Sequence, residues 1–138
     1  MNQKGQTLIE VVIGIALIAL VMTSFFTALN TSLTATTIVN KRTTAESLTR
    51  TELEYIKNHA YVYWVTSAPP DYGNATARIP DVFRDQYTMT LIVVPIDPVT
   101  HVPLTIPPDS DQGMQLITVS VYFHDEPVLT TESYKVDR

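Results

Sequence analysis

Apolar residues run almost unbroken from Leu8 to Leu29, thin into a Thr-rich stretch, and return later as short alternating runs. The first run is 22 residues long and contains one charged side chain, Glu10. As a helix it would span roughly 33 Å, enough to cross a bilayer core. Thirteen of its residues are Leu, Ile, Val or Phe, which together favour insertion by about 4 to 8 kcal/mol. A single carboxylate costs up to ~3 kcal/mol at mid-membrane and less near the end of the run, where Glu10 sits. Insertion wins.

Beyond Asn30 the chain stays free of Pro and Gly to about Val62. Leu29, Leu33, Ala45, Leu48, Leu53, Ile56 and Ala60 recur close to a 3.6-residue period, with Lys41, Arg42, Glu46, Arg50, Glu52, Glu54 and Lys57 between them. This predicts an amphipathic helix with one face covered and one wet, helped by a Glu46–Arg50 pair one turn apart. Thr31 to Thr44 has poor helix propensity and is the weakest link. A continuous helix from about Thr7 to Val62 would be roughly 85 Å long. A small domain cannot cover all of it, so lipid or other copies must cover the apolar part.

The remaining runs alternate as strands do. Tyr87, Met89, Leu91 and Val93 share one face, as do Ile117, Val119, Val121 and Phe123; a third run is Val128 to Val136. The link His124-Asp125-Glu126-Pro127 predicts an antiparallel hairpin between the last two runs, and Val102 to Ile106 is a candidate edge strand. The expected class is α+β: a long N-terminal helix, one part transmembrane and one part amphipathic, packed on a small antiparallel sheet.

Composition sharpens this picture. All nine prolines lie at or after Pro69. Up to Ala68 there are five Lys/Arg against four Asp/Glu, and from Pro69 onward four against ten. A helical stalk therefore precedes an acidic, turn-rich head. The net charge of −5 argues against general nucleic-acid binding, which needs basic residues to replace phosphate counterions. With no cysteine, thiol catalysis, Cys-type zinc clusters and disulfides are excluded.

A plain signal anchor would explain the apolar run alone. A secretory signal peptide would want a stronger basic n-region, no interrupting charge and a small-residue cleavage site, where this chain has Phe25-Phe26. Neither accounts for Lys4, for Gly5 just before the run, or for Glu10 near its start. The segment Lys4-Gly5-Gln6-Thr7-Leu8-Ile9-Glu10-Val11-Val12 resembles the type III signal of type IV prepilins and pseudopilins. The resemblance implies cleavage by prepilin peptidase after Gly5 and Gln6 as the new N-terminus and methylation site. It also implies Glu10 as the filament-assembly carboxylate. Implied partners are the peptidase, an inner-membrane assembly platform, other pilin subunits, and lipid before assembly; no cofactor is implied. The corresponding division is a leader over 1–5, a transmembrane and assembly helix over 6–29, an amphipathic stalk over 30–65 and a β head over 66–138. Gln6 stands where the family most often has Phe or Met, and an N-terminal Gln can also cyclise, which removes the amine. The missing mid-membrane Pro and the missing Cys-closed loop resemble minor rather than major pilins. The motif implies a cytoplasmic N-terminus, although Lys41 and Arg42 outnumber Lys4 by one.

Glu10 draws attention without the family too. A carboxylate in an apolar setting must be paired, hydrogen-bonded or protonated. The α-amine of Gln6, on its own or a neighbouring chain, is the natural partner, and interaction with the helix N-terminus is the simpler alternative. Elsewhere no catalytic constellation emerges: His59, His101 and His124 stand apart, and an enzymatic role is not expected. Asp109 and Asp111 before Gly113 form part of a Ca²⁺-loop pattern without its distal Glu, and an ordinary loop is the preferred reading. The cluster Tyr55, Tyr61, Tyr63, Trp64 and Tyr72 is expected to pack where helix meets head.

Overall fold

The computed structural model describes residues 8–64, 69–104 and 111–137. It consists of helix α1 (Leu8–Asn58), a 3-10 turn (Thr76–Arg78), a short helix α2 (Asp81–Arg84) and strands β1 (Tyr87–Pro95), β2 (Met114–Phe123) and β3 (Glu126–Val136). This is the α+β, pilin-like arrangement expected from the pattern. The chain divides into two compact units, Met1–Asn40 and Lys41–Arg138. The boundary falls inside α1.

In the first unit α1 passes through the Thr-rich stretch without a break. The hydroxyls of Ser24, Thr27, Thr31, Thr34, Thr36 and Thr37 each donate to the carbonyl four residues earlier. Their polar groups are satisfied within the helix, although such back-bonding does not itself add to helix stability. From Leu8 to Asn40 every residue is exposed except Gly14, which is half-buried.

In the second unit α1 buries Ala45, Leu48, Thr49, Glu52 and Ile56, a helical stripe. It completes a core with Tyr87, Met89 and Val93 of β1 and Ile117, Val119 and Val121 of β2, closed at the side by Tyr72, Ala75 and Ile79. The sheet order is β1-β2-β3, antiparallel throughout. Met89 lies opposite Val121, and Val93 opposite Ile117, so the apolar faces read from the sequence coincide across the strands. The hairpin turn is tighter than expected. Only His124 and Asp125 form it, with φ of 48° and 65°, while Glu126 and Pro127 already belong to β3. Positive φ at both central residues matches the right-handed twist of the flanking strands. On the outer edge of β1, Thr76 Oγ1 accepts from Met89 N (3.3 Å) and donates to Met89 O (2.8 Å). The exposed strand edge is covered there.

Three local expectations change. The helix stops at Asn58 rather than near Val62. Glu46 meets Arg42, one turn earlier, at 3.2 Å rather than Arg50. Between Val102 and Leu104 there is a single bridge, Ile96 to Pro103, instead of a strand; Thr105 and Ile106 lie outside the described residues.

Thr49 is 3 % exposed, and its hydroxyl has no hydrogen-bond partner among the described residues. Thr49→Val keeps the shape and removes the stranded hydroxyl. It is expected to raise stability by about 1 kcal/mol, read as a higher melting temperature of the detergent-solubilised chain.

Candidate functional site

Gly5 and Gln6 lie outside the described residues. Glu10 lies in the first turn of α1 and is exposed, with Leu8, Ile9, Val11, Val12 and Ile13 exposed around it. An acidic side chain in a first turn is favoured by the helix dipole. From Val11 to Asn40 there is no charged residue. The most apolar stretch of α1 has a mean hydropathy of 2.5 and none of it is buried within the chain, so this helix is long and apolar enough to cross a membrane. Covering its large side chains, at roughly 1.5–3 kcal/mol each, is worth tens of kcal/mol in all. Such a surface cannot stay in water, and it carries one ionisable group.

The second cluster gathers at the start of β2, around Asp111. Its Oδ1 accepts from Tyr61 Oη (2.6 Å) and Gly113 N (3.0 Å), and its Oδ2 from Trp64 N (3.0 Å) and Gln115 Nε2 (2.9 Å). Gln115 is fully buried. It also donates to Val62 O (2.8 Å) and accepts from Tyr72 Oη (2.8 Å). Together these bonds fasten the strap Tyr61–Trp64 onto the sheet. Desolvation pushes the Asp111 carboxyl up, but the four donors outweigh it and hold its pKa below the ordinary aspartate value. Burial, together with the hydrogen bond to Asp111, pushes the Tyr61 phenol well above its usual range. As a metal ligand Asp111 would have to give up donors it already holds. Asp109 lies outside the described residues, and no group of three metal-ligating side chains occurs among the described residues.

The aromatic residues divide. Tyr72 and Trp64 are buried, whereas Tyr55 and Tyr63 are 40 % and 46 % exposed. Tyr63 donates to Asp137, and Tyr55 lies under the Arg78 guanidinium at 4.2 Å. The histidines stay apart. His59 stacks on Tyr55, His101 meets Tyr134, and His124 stands in the hairpin turn beside Phe123.

Two charged groups are interior: Glu52, which the sequence placed on the wet side, and Lys135, on which it gave no reading. Glu52, 1 % exposed, forms a two-pronged ion pair with Arg78, including Nε to Oε2 at 2.7 Å. Lys135, on β3, reaches across the sheet to donate to the carbonyls of Ile56 and His59. A cation at the C-terminal end of a helix satisfies carbonyls that have no partner further along. Neither partnership is local in sequence, and no periodicity marks it.

Residues 1–26 match the prokaryotic N-terminal methylation motif, the type IV pilin signal. The match covers Gly5, Gln6, Glu10 and the apolar run as far as Phe26, and with the fold it is consistent with a type IV pilin-like protein. No curated protein and no solved structure matches the chain.

Proposed function

We propose that this chain is a minor pilin or pseudopilin, a structural rather than enzymatic subunit of a type IV pilus-like filament. Prepilin peptidase cuts it after Gly5 on the cytoplasmic side. The apolar helix holds it in the inner membrane with the head outside the cytoplasm until an assembly platform moves it into the filament. The observation that carries this reading is the bare, uncharged surface of α1 from Val11 to Asn40, which begins within the matched signal and runs on beyond it. Lipid covers it before assembly and sister helices cover it afterwards. Glu10 supplies the polar determinant. Leaving it unpaired among apolar helices is costly, so pairing with the Gln6 amine of a neighbour would fix one subunit's offset against the next.

Mass spectrometry of the chain from native membranes is expected to show an N-terminus at Gln6. An intact Met1 would instead indicate a monomeric membrane-anchored binding protein. Glu10→Val is expected to be cut normally yet to be depleted at least tenfold from sheared filaments, read by immunoblot against the membrane fraction. Equal incorporation of the variant would remove Glu10 from this role.

A further inference from the structure

The second unit carries a groove of about 270 Å³ between α1 and the segment after Arg78. Leu48, Phe83 and Met89 make its apolar floor, Ser47 stands on its rim, and Glu52 with Arg78 lines it as well. Those two charges neutralise each other, and the lining holds no other charged side chain. A charged occupant would be desolvated there without a free counter-charge, whereas a neutral one would not. The segment Val11–Asn40 is the long uncharged stretch of this chain, and its side chains are exposed. Within the bare stretch Phe25 and Phe26 are the aromatic side chains, 60 % and 65 % exposed, with their rings edge to face at 6.3 Å. Rigid aromatic side chains seated in a desolvated pocket are the usual anchors of protein interfaces.

We infer that this groove receives a ring of the Phe25–Phe26 pair from a second copy of the chain. The inference rests on the filament reading and adds a specific contact to it: the head of one subunit holds the bare helix of another. Burial of an aromatic ring in the groove supplies affinity, and its match of neutral to neutral excludes charged partners.

The chain has no cysteine, so an introduced pair reports without background. Two differently tagged full-length copies are co-expressed in the native host, one with Ser47→Cys on the groove rim and the other with Thr27→Cys beside the ring pair. Mild oxidation of sheared filaments is expected to give a dimer bearing both tags. Its yield should fall at least fivefold when Phe25 and Phe26 are both replaced by Ala in the second copy. Thr43→Trp in the first copy, which blocks the groove and leaves the bare helix untouched, should have the same effect. Filaments containing both copies but no mixed dimer would overturn the groove contact and leave the filament reading standing. Copies that never leave the membrane fraction would overturn both. A benzophenone attached at Ser47→Cys that captures phospholipid instead of protein would also overturn the contact.

Discussion

Replacing Arg78 by Met is expected to cost the head about 3–5 kcal/mol, because it strands a buried carboxylate. Glu52 sits on the core face of α1, and Arg78 meets both of its oxygens. The Glu52 hydrogen bond raises the Arg78 pKa above its ordinary value, so the guanidinium keeps its charge. Packing of the guanidinium on the Tyr55 ring adds a cation–π contact. Removing the cation leaves Glu52 to remain charged without a partner or to take up a proton at a free-energy cost. The double variant Glu52→Leu/Arg78→Met should recover most of the loss, since an apolar pair of similar volume is often no worse than a buried ion pair. Urea unfolding of the detergent-solubilised chain, followed by fluorescence of its one tryptophan, Trp64, measures both. If Arg78→Met alone is neutral, the pair does not stabilise the fold.

Asp111→Ala is expected to lower stability by about 3 kcal/mol, the worth of one or two hydrogen bonds to a charged acceptor once water replaces the rest. The loss should be concentrated in the strap, with Trp64 fluorescence shifting red before the sheet unfolds. The same carboxylate predicts the acid response. Its folded pKa lies below the ordinary aspartate value. Between the two values the unfolded chain binds the proton and the folded chain does not, so falling pH favours unfolding. The contribution of Asp111 is complete above the unfolded value and is lost as pH falls through the folded one. In Asp111→Ala that part of the acid-induced loss should be absent, so the two stability curves converge at low pH. Parallel curves would show that Asp111 does not carry the acid response.

Much of the architecture was legible in the sequence because it rests on short-range patterns. The apolar run, the alternation in β1 and β2 and the turn at His124 each depend on neighbours within a few residues. What the pattern missed depends on distant partners. Glu52 looks like a solvent-facing residue until Arg78, 26 positions later, is folded against it. Residues 59–62 carry no helix-breaking Pro or Gly, yet α1 stops at Asn58. The following residues bond better elsewhere: Tyr61, Val62 and Trp64 are recruited by Asp111 and Gln115, some fifty positions on. The Thr-rich stretch misled in the opposite sense: it is helical despite poor intrinsic propensity, which is only a weak guide on its own. At the candidate site, Glu10 and the bare surface were legible as an anomaly, a lone acid in a greasy run. The groove beside Arg78 was not, since it is assembled from segments far apart in sequence.

The reach of Lys135 has a consequence for how the polypeptide matures. Its contact with Ile56 joins residues 79 positions apart, so the last turn of α1 is synthesised early but cannot be completed until β3 has been made. Closing so long a loop is among the slower steps available to a small domain. Until the final strand has been made, the helix end stays frayed and the outer edge of β2 is open to pairing with another chain.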